Sequence, residues 1–367
     1  MRKILLALAA LLIADAPAVL AQASANQAAG RTAPSPLAPS EIVGQAPKAD
    51  WTAIPASDLL VMDLAPDARG KPRRVVIQLM PPPFSQGWIG NVRTLAKAHW
   101  WDGLSINRVQ DNYVVQWGDA NADDKVKAKA LPVGLVTMPE NDYTTQLSTL
   151  REQLRADSKK RFVAIQIDDF KAMHPKAKRK HLAEVEAQAA DVFEASFQVY
   201  EPQVKLPDLI SSQADFFRGW PIAQDAQAAW PVHCYGMVGV GRDLSPNTGS
   251  GAELYVVIGH APRHLDRNIA LVGRVIEGIE FLSSLPRGHG ALGFYDLEQG
   301  DERVTITSIR PGAEVKALPS YEYLSTESAS FAKYADARAN RRDPFFIRPA
   351  GGADICNIPV PVRRVKR

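Results

Sequence analysis

The stretch INRVQDNYVVQWGD, residues 106–119, is the part of the chain that decides the fold. Its second half, residues 113–117, combines aromatic and β-branched residues, which predicts a strand with much of its surface buried. Arg108 lies just before this strand and Gln116 lies inside it. A guanidinium and an amide are costly beside a dry core unless they find hydrogen-bond partners, so this pair requires an explanation.

The segment before this stretch has the pattern of a hairpin followed by a helix. Residues 59–64 and 74–80 are strand-like runs, separated by the turn-forming residues of PDARGKP. The prolines at 81–83 end the second run because proline cannot donate to a strand ladder. Ser85 is suited to cap a helix. The predicted apolar face of that helix consists of Ile89, Val92, Leu95 and Ala96.

Residues 120–235 differ in character and predict an inserted, mostly helical subdomain. Tyr143, Leu147, Leu150 and Leu154 indicate one amphipathic helix, and Leu182, Val185, Ala189, Val192 and Ser196 indicate a second. Between them, FVAIQI at 162–167 is interpreted as a strand. The basic run at 171–181 is typical of a solvated helix start, with nucleic acid or acidic lipid binding as the alternative.

Strand-like, glycine-punctuated sequence returns at residues 234–242. The last strand is predicted at residues 304–309, VTITSI. The C-terminal extension, residues 313–367, has few apolar clusters before residues 345–347. Its basic end, VRRVKR, is expected to be a solvated tail.

The first residues indicate that the protein is exported. A short basic start, an apolar run and the small-residue exit ending at Ala21 predict a signal peptide over residues 1–21, cleaved before Gln22. Residues 22–50, rich in Ala, Pro, Ser and Gln, are expected to form a flexible leader. No later stretch approaches the roughly 20 apolar residues of a membrane-spanning helix. We therefore expect a soluble protein of the periplasm or the extracellular space.

Charge and cysteine content narrow the possible partners. Once Arg2 and Lys3 leave with the signal peptide, 41 basic residues face 40 acidic ones, which gives no electrostatic reason to expect a nucleic-acid partner. Cys234 and Cys356 are the two cysteines. In an oxidising compartment they either form a disulfide or remain as two buried thiols, and both possibilities stay open.

Two motifs resemble the cyclophilin-type peptidyl-prolyl isomerase family. In the first, at 106–119, Arg108 precedes a short turn, the aromatic Tyr113 and an ending Gln-Trp-Gly-Asp, where the family has Gln-Gly-Gly-Asp. The second, at 236–282, resembles the family segment that leads from a glycine-containing core strand through Pro-Asn to Gly-Arg-Val-x-x-Gly. The hairpin and helix of residues 58–100 are similar to the N-terminal elements of the family.

The resemblance implies a mainly β fold, a closed antiparallel eight-stranded β-barrel capped by helices. The barrel would comprise residues 51–119 and 236–312, with residues 120–235 as the inserted helical subdomain. Side chains fill the interior of barrels with this number of strands.

The activity implied by the resemblance is rotation about the peptide bond before proline, which requires no metal, nucleophile or cofactor. The barrier is about 18–20 kcal/mol because rotation destroys amide resonance. As the amide twists, the proline nitrogen becomes able to accept a hydrogen bond. Arg108 is implied as the catalytic donor to that nitrogen, and Gln116 as the residue that holds its guanidinium. The alternative is a surface salt bridge for Arg108 and a solvent-facing Gln116.

The resemblance also implies an apolar slot for the proline ring, with departures from the family pattern near it. The residues implied to bind substrate are Tyr113, Val114, Gly241, Glu253, Tyr255, Leu265 and Ile269; ordinary barrel core is the alternative for the apolar ones. Asn107 stands where the family has a histidine, Glu253 where it has a groove glutamine, and His264 where it has a tryptophan at the rim. Glu253 either orients Arg108 or engages it so fully that catalysis suffers.

The predicted function is a peptidyl-prolyl cis-trans isomerase that acts on proline-containing polypeptides during the folding of exported proteins. The alternative is a weakly active or inactive peptide-binding chaperone or scaffold of the cell envelope. Asn107, Glu253 and the large insertion favour this alternative, because two site residues are changed and the insertion could carry a client-binding surface.

Overall fold

Helices and strands are described for residues 35–196, 204 and 206–365 of a computed structural model. The predicted signal peptide and the leader up to residue 34 lie outside these residues. The strands are β1 (Trp51–Ile54), β2 (Leu59–Leu64), β3 (Arg73–Leu79), β4 (Ser105–Val109), β5 (Val114–Gly118), β6 (Thr145–Gln146), β7 (Gln213–Phe217), β8 (Trp220–Gln224), β9 (Ala228–Pro231), β10 (Met237–Val240), β11 (Leu254–Val257), β12 (Leu271–Glu277), β13 (Ile306–Pro311), β14 (Tyr321–Leu324) and β15 (Val362–Arg364). The α-helices are α1 (Pro39–Gln45), α2 (Gln86–Lys97), α3 (Leu147–Met173), α4 (Arg179–Ser196), α5 (Glu280–Ser283) and α6 (Ala329–Ala339).

Eight antiparallel strands form a nearly closed barrel in the order β13-β2-β3-β12-β10-β11-β5-β4. Its two edge strands meet, since Ser105 forms an antiparallel bridge with Thr305. The backbone N–H of Ile106 also donates to the carbonyl of Val304 at 2.9 Å. This arrangement confirms the predicted fold class, a mainly β protein with an eight-stranded antiparallel barrel.

The hairpin expected before the barrel's first long helix is present as β2 and β3, with Leu59 opposite Gln78. Asp67 fixes the connecting turn, because its Oδ1 accepts hydrogen bonds from the backbone N–H groups of Arg69 and Lys71 at 2.9 and 2.8 Å. A carboxylate that holds two backbone donors makes the reversal of direction specific, so the strands pair in one register.

Helix α2 packs on β12 and β13 with the apolar face that the sequence predicts. Its buried residues include Ile89, Val92, Leu95 and Ala96, together with Trp88. The start of the helix differs from the prediction, because Ser85 has a left-handed backbone (φ 55°) and its hydroxyl makes no capping bond within the described residues. The side chain of Gln86 instead donates to the carbonyl of Phe84 at 2.8 Å.

The interpretation of residues 162–167 as a strand is wrong, because they lie inside α3. Phe162 contacts Phe193 of α4, with ring centroids 5.9 Å apart. Val163 and Ile167, four residues apart, line a groove against α4. Six residues of mixed polarity do not distinguish a strand from a helix face of this kind.

The two long helices of the insertion bury only part of the predicted faces. Leu147, Leu150 and Leu154 are buried as predicted. On α4, Ala189 and Phe193 are buried, whereas Val192 and Ser196 are exposed. The basic run between the helices is mostly exposed. None of the α-helices in the described part of the chain is long and apolar enough to cross a membrane.

The insertion also contains a four-stranded antiparallel sheet, in the order β6-β9-β8-β7, that the sequence did not reveal. Its buried side chains include Phe216, Phe217, Trp220, Ile222 and Trp230. Pro221 and Pro231 lie within its strands, and proline is the residue that most strongly argues against a strand in sequence.

The two ends of the described chain form a small sheet of their own. Residues 39–50 of the expected flexible leader include α1, which packs against α6. β1 pairs with β14, and β14 pairs with β15. The prediction of a solvated tail is therefore wrong for Val362–Arg364, because this strand completes the sheet. The guanidinium carbon of Arg363 also lies 3.6 Å from the ring centre of Trp51.

Cys234 and Cys356 form a disulfide, which decides between the two possibilities that the sequence left open. The bond joins the segment that follows β9 to the C-terminal extension. The chain has two cysteines, so none is left free.

Reduction of this disulfide is expected to lower the free energy of unfolding by about 2–5 kcal/mol. The two cysteines are 122 residues apart, and the chain-entropy value for a loop of this length is about 5 kcal/mol. Urea unfolding with and without dithiothreitol measures the change. The doubly substituted Cys234→Ser, Cys356→Ser protein is the matched control, which should unfold like the reduced protein and ignore the reductant. Equal midpoints for oxidised and reduced wild type would contradict the prediction.

Candidate active site

The hairpin of β4 and β5 places Arg108 opposite Gln116. The register shifts between Ile106 and Arg108, and a bulge at such a point redirects the side chains around it. Arg108 Nη1 donates to Gln116 Oε1 at 3.3 Å. The pair is therefore internal to the hairpin, as the sequence suggested.

The guanidinium of Arg108 is held from several sides. Its Nε donates to the carbonyl of Leu292 at 2.7 Å, and its Nη2 donates to Gln110 Oε1. The guanidinium carbon lies 5.5 Å from the ring centre of Tyr113 and 5.3 Å from that of Phe294. Partial burial lowers the pKa of Arg108 from its usual high value, and an arginine still remains charged at neutral pH. The groups that accept hydrogen bonds from Arg108 are amide and carbonyl oxygens. Among the described residues Arg108 therefore does not form the surface salt bridge of the alternative.

An apolar slot lies beside Arg108. Val114 and Tyr255 are buried there with Val257, and Tyr113, Leu265 and Ile269 pack against them. Tyr255 lies opposite Gln116 on the neighbouring strand. A Cβ at Gly239 would overlap the Tyr255 ring, so glycine is required for the ring to cross β10. A glycine inside a strand pattern indicates that another group packs closely on the backbone, and this is the sequence signal that Gly239 carries.

A buried hydrogen-bond chain, also missed from sequence, holds Tyr255. Its hydroxyl lies 2.8 Å from His233 Nε2, and His233 Nδ1 lies 2.8 Å from Asp266 Oδ1. Burial lowers the pKa of His233, against the opposing effect of Asp266, so the imidazole is neutral. Nδ1 therefore donates to Asp266, and Nε2 accepts from the Tyr255 hydroxyl. The hydroxyl is used inside the protein, which leaves the ring to line the slot.

Glu253 lies on the far side of Gln116 from Arg108. Gln116 Nε2 donates to Glu253 Oε2 at 3.5 Å, and the backbone N–H of Asp119 is a second donor to this carboxyl group, whose Oε1 is buried. Burial raises the pKa of Glu253 to about 7, against the opposing effect of the hydrogen bonds from Gln116 and the backbone of Asp119. Among the described residues Glu253 makes no ion pair with Arg108. Glu253 therefore neither orients nor engages Arg108 by direct contact, because Gln116 lies between the two side chains.

Asn107, the other departure from the family pattern, serves the strands. Its Oδ1 accepts from the Ser105 hydroxyl at 2.7 Å, and its Nδ2 donates to the carbonyl of Gly118 at 3.0 Å. The side chain is buried and both ends of its amide are occupied. Asn107 therefore links β4 to β5. His264, the third departure, stacks on Tyr113 with ring centroids 6.4 Å apart.

One cavity of about 720 Å³ contains every residue that the sequence placed in the site. They are Arg108, Tyr113, Val114, Gln116, Gly241, Glu253, Tyr255, Leu265 and Ile269. Leu292 and Phe294 add a wall that the sequence did not reveal. The cavity continues past Glu253 to residues 119–131 at the start of the insertion. This volume exceeds that of a single side-chain ring, so the cavity has room for a larger ligand.

Comparison with known proteins identifies the family that the sequence resembles. A family model described as "Cyclophilin type peptidyl-prolyl cis-trans isomerase/CLD" matches residues 87–310. Among solved structures, the crystal structure of cyclophilin AquaCyp293 from Hirschia baltica is similar, with a TM-score of 0.55 and 16% identity over 86% of this chain and 95% of that chain. At this identity the likeness shows the fold. No curated protein matches the chain.

Glu253→Gln is expected to gain stability relative to wild type as the pH rises. The difference in free energy of unfolding, variant minus wild type, should be about 1–3 kcal/mol larger at pH 8 than at pH 5. A raised pKa in the folded state means that folding favours the protonated acid, so wild type loses stability as the pH rises from about 4.5 through 7. The amide does not titrate and keeps the size of the side chain. Urea unfolding of both proteins at pH 5, 6.5 and 8 measures the difference. A difference that stays constant over this range would contradict the burial of the charge.

Proposed function

The chain belongs to the family of cyclophilin-type peptidyl-prolyl cis-trans isomerases, and on this premise we propose that it isomerises X-Pro bonds of exported polypeptides during their folding, with Arg108 as the catalytic donor. The family match spans more than half of the chain and includes every residue of the cavity that the sequence singled out. Proline-containing peptides are the substrates of this family.

The mechanism rests on the difference between a planar and a twisted amide. In the planar ground state the nitrogen lone pair is delocalised, and rotation costs about 18–20 kcal/mol. In the twisted transition state the proline nitrogen gains a localised lone pair and accepts a hydrogen bond. A fixed donor aimed at this nitrogen binds the transition state better than the substrate, which lowers the barrier.

The position of Arg108 is the observation that carries the proposal. Three of its five N–H groups donate to Leu292, Gln116 and Gln110, so two remain for substrate within the described structure. The guanidinium sits at the edge of the slot formed around Tyr255. A proline ring in this slot would bring its nitrogen beside a donor that is already oriented, so little ordering is required on binding.

Export is the second part of the proposal. The basic, apolar and small-residue pattern of residues 1–21 supports a cleaved signal peptide. The disulfide between Cys234 and Cys356 supports an oxidising compartment, since such bonds are rare in the cytosol. Folding substrates in that compartment would be newly exported chains.

The alternative, a peptide-binding chaperone with little or no turnover, is favoured in the sequence by Asn107, Glu253 and the large insertion. Asn107 is engaged in joining two strands, which weakens its part of the case. Glu253 contacts Gln116 and leaves the guanidinium accessible to the cavity. Turnover by the wild-type protein distinguishes the two functions directly.

Arg108→Ala is expected to reduce kcat/KM for an Ala-Pro peptide about a hundredfold. Loss of a charged donor in the transition state costs about 2–3 kcal/mol. Exchange NMR spectroscopy on the peptide measures the rate. Arg74→Ala is the matched control, because Arg74 is an arginine of β3 that pairs with Asp63 away from the cavity. Intact catalysis by Arg108→Ala would exclude the mechanism, and inactive wild type would favour the chaperone.

The full chain, produced in a Gram-negative bacterial host, is expected to appear in the periplasm with Gln22 as its first residue. Intact-mass measurement of the purified protein identifies the cleavage site, and osmotic-shock fractionation identifies the compartment. Ala21→Leu places a large side chain where signal peptidase requires a small one, so unprocessed chain should accumulate. Retention of residues 1–21 in wild type, with the protein in the cytoplasm, would exclude export by this signal.

A further inference from the structure

Arg108, Gln116 and Glu253 form a line in which each hydrogen bond has one possible direction. A guanidinium can only donate, so Gln116 must present its oxygen to Arg108, at 3.3 Å from Nη1. The amide nitrogen of Gln116 then faces the other way and donates to Glu253 Oε2 at 3.5 Å. A carboxylate can only accept, so an ionised Glu253 completes the line.

A protonated Glu253 cannot complete the line in the same way. Its Oε1 packs against Gly118, where a Cβ would overlap it, and the groups that bond to the carboxyl, Gln116 Nε2 and the backbone N–H of Asp119, are both donors. A proton on Oε1 would be a buried donor without an acceptor, which costs about 1–3 kcal/mol. A proton on Oε2 would face the nitrogen of Gln116, donor against donor.

The amide of Gln116 would have to turn over to accept the proton on Oε2. Its nitrogen would then face Arg108 Nη1, again donor against donor, and the guanidinium would lose the acceptor that holds it on the β5 side. The contacts of Arg108 with Leu292 and Gln110 do not depend on this amide. Protonation of Glu253 therefore either leaves a buried donor without an acceptor or removes one of the three supports of Arg108.

We propose that Glu253 is a positioning residue that fixes Arg108 through Gln116, and that the isomerase is fully assembled only while the Glu253 carboxylate is ionised. This inference rests on the proposed function of Arg108. It gives the departure at Glu253 a role, because an amide at this position would support Gln116 at every pH, whereas a carboxyl group makes the support depend on pH.

Burial places this change near neutrality, because it raises the pKa of Glu253 to about 7. Ionisable groups approach the carboxyl group or the cavity from every side, and several are charged. They are Asp119, Asp123 and Lys129 around the start of the insertion, Arg242 and Asp243 after β10, Tyr295 and Arg303 before β13, Tyr113 and Arg108 from the β4–β5 hairpin, Tyr255 from β11, and His264 at the rim. Among these side-chain types, histidine is the one that ordinarily titrates between pH 5 and 8. The test must therefore exclude His264 as the source of a pH dependence.

The test is kcat/KM for an uncharged Ala-Pro peptide between pH 5.5 and 8.5, measured by exchange NMR, which needs no coupling enzyme. Wild type should gain up to about tenfold between pH 6 and pH 8, the limit set by the change in ionised fraction of an acid with its midpoint at pH 7. Glu253→Gln should abolish this rise, because its amide oxygen accepts from Gln116 throughout. His264→Asn should retain the rise.

Two outcomes would overturn the proposal: a flat profile in an active wild type, or an unchanged rise in Glu253→Gln. A second measurement separates its failure from that of the proposed function. The side-chain Nε–H resonance of Arg108 and the carboxyl carbon of Glu253 should titrate with one midpoint in wild type, and the Arg108 resonance should not titrate in Glu253→Gln. If wild type is inactive at every pH while these signals titrate together, the positioning stands and the catalytic role fails. If Arg108 does not follow Glu253, the positioning fails whatever the activity.

Discussion

The structure depends on holding one charged donor beside an apolar slot. Arg108 receives its supports from three segments: Gln116 across the hairpin, Gln110 in the turn, and the carbonyl of Leu292 in the loop before β13. Phe294, in the same loop, forms an isolated antiparallel backbone bridge with Arg108. A barrel that closes between β4 and β13 brings this loop to the hairpin, so the position of the guanidinium follows from closure of the sheet.

The insertion and the C-terminal extension contribute to the slot through Asp266. This carboxylate accepts from His233, which holds the slot tyrosine, and from Arg263 Nε at 2.6 Å. Arg263 continues to Asp208 at 2.7 Å, so two residues of the predicted insertion meet at this network. The neighbour of His233, Cys234, carries the disulfide to the C-terminal extension. These parts of the chain thus support the floor of the cavity from behind.

The sequence predicted the residues that act within one hairpin and missed those that distant segments supply. Arg108, Gln116 and Tyr113 fall in a single stretch where strand pattern and family resemblance coincide. His233 reaches the slot from the end of the insertion, and nothing in its local sequence distinguishes it from an ordinary histidine. Phe294 comes from an irregular loop, where periodicity carries no information. The wrong prediction of a strand at residues 162–167 has the same cause. This segment packs against α4, and the local sequence pattern contains no information about that helix.

A second buried arginine shows how a structural guanidinium differs from a catalytic one in this fold. Arg274 is almost fully buried, stacks 4.5 Å from the Trp220 ring, and donates from all three nitrogens to Gln78 and to the carbonyl of Gly219. Burial lowers its pKa to about 10. Arg108 also donates from each of its three nitrogens, but it is half-buried and lines the cavity. Unmet hydrogen-bonding capacity costs about 1–3 kcal/mol per buried group, so folded proteins retain little of it. The unused N–H groups of Arg108 belong to a side chain that lines the cavity, so a bound substrate can supply their acceptors, whereas Arg274 is enclosed by the protein.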